Sequence, residues 1–433
     1  MNTQLISGTV SDSNAEPQAE PRLRRPDRHQ FVLESVCPDD RIPADHAART
    51  IWRVVETLDL SAFYEPIEAR GSDPGRAATD PRLLVALWLY AAVDGVGNGR
   101  ALDRLCRAHD AYRWLCGGVS VNYHTLNDFR VQHESALDQL MTQVLTALLD
   151  KGVVKVERIS QDGKRVRASA GTSSFHRKKT LARHLEEVKR YIEELKRQPE
   201  DASAVRQAAW ERAAREQQER LEQALALIPE LEEMRRNPRN NKKDRVKPVR
   251  VSSTDPEARK MKMPDGGTRP AFNVQLAEDA SSGAVVGVDV VSSPADQNQS
   301  EPLREQVEQR TGQKVQEHLM DQGYVAMASI GRAEESGVAV YAPLPRNRKT
   351  GEPVTESRWD TEWTRRWRER MQTPEAKEVY KLRAARSERV NAELVDRMGL
   401  YRVAVRGLRK VKCVMLWMTL AYNMIHFSQH LVE

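Results

Sequence analysis

Cysteine is scarce in this chain. Only Cys37, Cys106, Cys116 and Cys413 occur among 433 residues, and no two form a Cys-x-x-Cys pair. So scattered a set supports neither a disulfide framework nor a structural zinc site, and it fits a reducing compartment. Of the ten histidines only His426 and His430 stand at His-x3-His spacing, and two imidazoles alone do not make a structural metal site either. Long apolar runs are missing too. The longest, Leu83–Val93 and Cys413–Tyr422, fall well short of the roughly 20 residues a bilayer span needs, and they read as buried helices. Residues Met1 to Arg25 are polar and carry no apolar h-region, which leads us to expect no secretory signal peptide and a soluble cytoplasmic protein. A large excess of one charge is also lacking: 68 basic residues face 62 acidic ones, for a net charge of +6. That balance permits a polyanionic partner without demanding one.

What is present is ample apolar residue for a core, 39% of the chain, in a length that suggests about three domains or one with large insertions. Residues 1–25 read as a disordered tail. From 26 to 150 the pattern is helical. Trp52, Val55 and Leu58 repeat at spacings of three. Asp80-Pro81 marks a helix start after the loop Gly71–Pro74, and Leu84, Leu87, Trp88 and Ala91 form its apolar stripe. Asn122 or Thr125 caps a later helix that runs through Phe129 to Arg130.

At Val153 the texture changes. Val154–Val156, Arg158–Lys164 and Val166–Ala168 alternate, which predicts strand, turn, strand. Between 180 and 250 an insertion follows. Leu181, Leu185, Val188, Ile192 and Leu195 step at heptad spacing, Pro199 interrupts, and a second run carries Val205, Ala209, Leu221, Leu225 and Ile228. Two helices so short in register are expected to pack on each other as a hairpin. The loop Arg235–Arg250 holds eight basic residues and one acid, Lys242 and Lys243 among the former. Strand patterns return at Ala271–Leu276, Ala284–Val291, Glu317–Asp321 and Val338–Pro343, with a helix at Leu303–Gln309. From Thr361 to Phe427 the chain reads as helix, with Trp359, Trp363 and Trp367 on one packed face.

Acidic residues beside glycines at strand ends are the candidates for chemistry: Asp162 before Gly163, and Asp321 before Gln322-Gly323-Tyr324. A rigid strand end aims the carboxylate, and glycine leaves space for a ligand. Two such groups could hold one hard cation, and a third would support a pair of Mg²⁺ ions. The C-terminal helices offer that third group in Tyr380-x2-Arg383-x4-Glu388, with Glu393 as a competitor.

Taken in order, these stretches resemble a bacterial insertion-sequence transposase of the DDE class. The resemblance is carried by Asp80-Pro81-Arg82-Leu83-Leu84, His124–Arg130, Ser160-Gln161-Asp162-Gly163-Lys164, Ser253–Arg259, Pro270–Gln275, Asp321-x-Gly323-Tyr324, Tyr380-x2-Arg383-x4-Glu388, Val405–Leu408 and Ala421–Asn423. It spans roughly Phe31 to Phe427. The usual pattern has three residues between Arg and Glu. Here that count lands on Ser387, and Glu388 comes one later. The resemblance implies an α/β, ribonuclease-H-like core over 151–433, interrupted by the 180–250 hairpin and basic loop and preceded by a helical, DNA-binding domain. It further implies catalytic, metal-holding roles for Asp162, Asp321 and Glu388 with two Mg²⁺ ions, Mn²⁺ being a substitute. The partner would be double-stranded DNA, both terminal inverted repeats and target, bound by a homodimer without membrane association and near the nucleoid. Tyr380, Arg383, Arg406, Arg409, Lys410, Arg130, Lys242 and Lys243 are the expected DNA contacts. The alternatives are a transposase-derived DNA-binding protein that has lost catalysis and, more remotely, a coiled-coil interaction protein.

Overall fold

The computed structural model describes residues 35, 37–68, 77–197, 204–235 and 248–432. The expected tail at 1–25, the loop Gly71–Pro74, Pro199, the side chain of Val205, and Lys242 and Lys243 lie outside them. From Pro38 onward the described residues form one compact unit. None of their helices is long and apolar enough to cross a membrane.

Seven helices come first: α1 (Ala47–Thr57), α2 (Ser61–Tyr64), α3 (Pro81–Val93), α4 (Gly99–Ala108), α5 (Asp110–Cys116), α6 (Tyr123–Gln132) and α7 (Glu134–Asp150). Their ends follow local chemistry. Asp80 caps α3 by accepting the Arg82 amide at 2.8 Å, with Pro81 in the first turn. Asn122, rather than Thr125, caps α6 by accepting the amides of His124 and Thr125, both at 3.0 Å. No strand occurs among the described residues before Arg158.

Eight strands follow: β1 (Arg158–Arg167), β2 (Phe175–His176), β3 (Val251–Ser252), β4 (Arg259–Lys262), β5 (Thr268–Asp279), β6 (Val285–Val291), β7 (Glu317–Met320) and β8 (Ala339–Tyr341). In the main sheet β5 pairs antiparallel with β6, with β4 and with β1, while β1, β7 and β8 run parallel to one another in that order. Where strand, turn, strand was expected over 154–168 there is one continuous strand, Arg158–Arg167, and Val154–Val156 lie outside it. β5 pairs with it from Ile159 to Arg167, straight past Gly163. Gly163 is a gap in a row of side chains, and the gap is filled by Asp296: a Cβ on Gly163 would stand 2.5 Å from Asp296 Oδ1.

The insertion is a hairpin of α8 (Lys178–Arg197) and α9 (Ala204–Arg235) with its own small core, where Leu181, Val188, Ile192 and Leu195 meet Leu221, Ala224 and Ile228. Then come α10 (Ser300–Thr311), α11 (Met327–Glu335), α12 (Glu362–Gln372), α13 (Pro374–Ala392), a π-helical turn at Glu393–Arg397, α14 (Leu408–His426) and α15 (Ser428–Val432). Trp359 precedes α12 and is 79% exposed, whereas Trp367 is fully buried. The three tryptophans therefore do not make one packed face, because the helix begins only after the first of them.

Helix α14 ties the molecule together. Every residue from Cys413 to Met424 is buried, and the helix packs on α3, α6 and α7 on one side and on β6 on the other. A helix apolar all round belongs in an interior. The Asn423 amide reads both polar groups of Val285 on β6, donating to its carbonyl at 2.8 Å and accepting from its amide at 2.9 Å. At the other end, Asp255 and Glu257 accept the amides of Gly407 and Leu408, at 3.3 and 2.9 Å. Carboxylates at a helix N-terminus satisfy orphan amides and the helix dipole. The Ser253–Arg259 motif thus anchors α14.

Candidate active site

The sheet register creates the site. In the parallel pair, Gln161 stands opposite Met320, and pairing ends there. The next residue in each chain is an aspartate, so Asp162, mid-strand on β1 rather than at the expected strand end, and Asp321, just past the carboxyl end of β7, emerge side by side where the parallel pairing stops. That is where ligands gather in sheets with parallel strands. Asp321 turns the chain by accepting the Gly323 amide at 2.7 Å.

Helix α13 crosses this end. Arg383 donates to Asp162 Oδ1 at 2.8 Å and stands 3.9 Å from Asp321 Oδ2. Eight residues on, Asn391 donates from Nδ2 to Asp162 Oδ2 at 2.7 Å, and its own Oδ1 has no partner among the described residues although the residue is 93% buried. Burial raises the Asp162 pKa; Arg383 opposes the shift, and the negative charges of Asp321 and Asp296 reinforce it. Burial works against the Arg383 cation, but Asp162, Tyr380 and Asp321 together raise its pKa.

Between Arg383 and Asn391 on the same face is Ser387. Its hydroxyl is 2.9 Å from the Ser160 hydroxyl and donates to Glu278 Oε2 at 3.0 Å. Glu278 is fully buried on β5, its other oxygen has no partner among the described residues, and burial pushes its pKa up to about 8. Behind the aspartates runs a second buried polar layer. His318 Nε2 meets Gln161 Oε1 at 3.0 Å, and Gln161 donates to Gln275 Oε1 at 3.0 Å. Gln275 also accepts from the Tyr324 hydroxyl and donates to Asp296 Oδ1 at 3.1 Å. Burial lowers the His318 pKa to about 3, so this imidazole is neutral.

The expected residues distribute unevenly. Asp162, Asp321, Tyr380 and Arg383 come together. Glu388 does not join them: it is exposed, without a hydrogen bond or ion pair among the described residues, although it lies three residues from Asn391 and so on an adjoining strip of the helix. Glu393 pairs with His426 at 2.8 Å and with Arg397 at 3.3 Å, away from the aspartates. Among the described residues, no three acidic, histidine or cysteine side chains converge as a ready metal-binding group. The three-carboxylate set is therefore not assembled, because the helix turns Ser387 inward at the place where the expected spacing would put a glutamate.

Arg130 needs correction as a DNA contact. It is 8% exposed, its guanidinium lies 4.6 Å from the Trp88 ring centre, and it donates to the Gly97 carbonyl. Its apolar surroundings come from α3 and α14, whose Trp417 donates to the Arg130 carbonyl at 3.0 Å. Arg406, Arg409 and Lys410 are exposed, with Arg409 4.0 Å from Glu134. The described ends of the basic loop, Arg235 and Arg250, line a cavity of about 1230 Å³ together with Phe175, Arg177, Arg259 and Lys260.

Sequence reasoning missed Asn391, Ser387, Glu278 and Asp296. Helical spacing from Arg383 would have flagged the first two. Glu278 and Asp296 gave no signal, since only strand pairing and chain reversal bring them to the site.

The fold is thus an α/β protein with paired aspartates on adjacent parallel strands and a helix-borne arginine over them. Residues 246–424 match the family described as Transposase DDE domain, and residues 36–132 match the family described as Transposase domain (DUF772). Both matches are to transposase domains, and together they support an insertion-sequence DDE transposase. No curated protein and no solved structure matches it.

Proposed function

We propose that this chain cuts DNA at the ends of its own element and joins the freed 3′-hydroxyl to target DNA. The observation that carries this is the register that sets Asp162 beside Asp321, with Arg383 between them. The order β6, β5, β1, β7, β8, antiparallel to the left of β1 and parallel to its right, supports a ribonuclease-H-like core.

The donor set fits a hard divalent cation. Two carboxylates stand together against one guanidinium, and the buried Asn391 Oδ1 beside them lacks a partner among the described residues. Asp162 and Asp321 would hold the cation, with Glu388 on the adjoining strip as the third donor. Bound Mg²⁺ would supply an activated water and neutralise charge developing on the phosphate. The chain's own part is positional. Arg383 presents a guanidinium at the site that can orient a phosphate oxygen, and Asn391 fixes the Asp162 carboxylate. The rigid sheet keeps the two aspartates preorganised, so no free energy is spent arranging them during reaction. The inward Ser387 and outward Glu388 favour one second reading, a transposase relative that binds element ends without cutting them.

Mg²⁺-dependent nicking of the flanking end DNA separates the two. We expect the wild type to nick at the ends, Glu388→Gln to lose nicking, and Glu393→Gln to keep it. Binding without nicking by the wild type, under the same conditions, would favour the second reading.

DNA as partner leads to a further expectation. The basic cavity beside the hairpin carries exposed Arg177 and Arg250. The double variant Arg177→Ala/Arg250→Ala should bind end DNA more weakly, and its log-affinity versus log-salt slope should be shallower by about 1–2. An unchanged slope in a fluorescence-anisotropy salt titration would remove this cavity from the DNA path.

A further inference from the structure

Cys106 stands near the end of α4, and Cys116 is the last residue of α5. Both are buried, at 9% and 5% exposure, and both line one cavity of about 250 Å³. The two helices pack on each other, and the two thiols meet in a hydrogen bond, Cys106 donating to Cys116. The other cysteines lie elsewhere. Cys37 is exposed, and Cys413 is buried on α14 with its thiol 3.6 Å from the Val131 carbonyl. Nine residues separate Cys106 from Cys116, so no Cys-x-x-Cys spacing marks the pair in the sequence.

The surroundings distinguish this pair from inert core thiols. Arg41, Arg107 and Arg113 line the same cavity. Arg41 and Arg113 share Asp110, at 2.8 and 3.5 Å, and Arg107 pairs with Asp103. Three guanidiniums against two carboxylates make an electropositive wall, the setting in which a thiolate forms and reacts. The hydrogen bond from Cys106 lowers the Cys116 pKa against the effect of burial, while the same bond and burial raise that of Cys106. One sulfur is thereby the nucleophile and the other keeps its proton. The cavity has room for a small oxidant, since a water occupies about 30 Å³ in the liquid. The backbone also permits closure. Helix α5 ends at Cys116, and Gly117 and Gly118 follow with φ of 52° and 87°, each with open space where a side chain would stand. A cysteine at a helix end before two glycines can make the small shift that turns touching thiols into a bond.

We propose that Cys106 and Cys116 form a redox modification site, in which hydrogen peroxide entering this cavity converts the two thiols into a disulfide between α4 and α5. The Cys116 thiolate attacks one peroxide oxygen and the O–O bond breaks. This leaves a Cys116 sulfenic acid and a hydroxide, which becomes water with the proton Cys116 had released. The Cys106 sulfur then attacks the Cys116 sulfur, the S–O bond breaks, and the hydroxyl leaves as water with the Cys106 proton. Two thiols lose two electrons and two protons, and the peroxide is reduced to two waters. The bridge fastens α5 to α4, on which α6 also packs, and a thiol reductant reopens it.

The test uses the folded full chain and reads thiols rather than DNA cleavage. Reduced protein is treated with hydrogen peroxide, the peroxide is removed, remaining thiols are alkylated in denaturant, and unreduced peptides are mapped by mass spectrometry. Cys106 and Cys116 should be lost from the four alkylatable thiols and appear as one linked peptide pair, with Cys413 still alkylated. Dithiothreitol should restore both. In Cys106→Ser the bridge should vanish and Cys116 should instead be trapped by dimedone as its sulfenic acid. The wild-type mapping stands whether or not that variant folds. Cys106 and Cys116 staying alkylatable while the exposed Cys37 is oxidised would overturn the proposal. So would oxidation of either to a sulfinic acid without a bridge, or a bridge from either to Cys37 in place of their own.

Discussion

Asp162→Asn and Asp321→Asn should each abolish detectable end cleavage, a loss of roughly 10²–10³-fold or more, while DNA binding stays within a few-fold of wild type. The substitution keeps the shape of the side chain and removes the charge a cation needs. Folding should not suffer. Asp162 is largely buried, and burial already raises its pKa, so the ionised form costs free energy in the fold. An asparagine can still accept from Arg383, though its amide group must then face Asn391. Equal or slightly higher melting temperature with lost cleavage is the expected pair of results. Full cleavage by either variant would dismiss the proposed active site.

Stability should fall as pH rises from about 4.5 to about 8, and Glu278 should account for most of that slope. Its carboxyl carries a folded-state pKa of about 8 against an ordinary value of 4.5, with burial as the first cause. A group whose pKa is raised by folding stabilises the protein fully below its unfolded pKa and loses that contribution as pH climbs through the folded one. Asp255, raised to about 6 by burial at the start of α14, acts in the same direction over a narrower window. At about 1.4 kcal/mol per pKa unit the Glu278 contribution is on the order of a few kcal/mol. Glu278→Gln keeps the neutral, hydrogen-bonding form at every pH. Melting curves at pH 5 and pH 8.5 should therefore differ by several degrees in wild type and much less in the variant. An equal fall in both would mean that Glu278 does not titrate in this range.

Legibility varied with the range of the interaction involved. Helix starts at Asp80 and Asn122 were readable because capping is decided by residues two or three apart. The hairpin of α8 and α9 was readable because its core repeats along one helix face. The pair Asp162 and Asp321 was readable because each carries its own glycine and ends its own apolar stretch. Arg130 misled because a basic residue at the end of a polar helix looks exposed; the tryptophans that cover it come from α3 and α14, far away in sequence.

By itself the sequence determined the family, the helical and stranded stretches, and the two aspartates, since motif order, periodicity and local caps need no long-range contact. The tertiary structure alone decided that Gly163 is a gap rather than a turn, because only the paired strand and Asp296 reveal what occupies the space. It also decided that Ser387 faces inward and Glu388 outward, because the docking of α13 on β1 fixes its rotation. Last, it brought Asp296 and Glu278 to opposite sides of Asp162. Side chains directly across an antiparallel pair share a face, and Glu278 stands opposite Ser160, which puts it on the face of Asp162 two residues on; Gly163, against which Asp296 packs, points the other way.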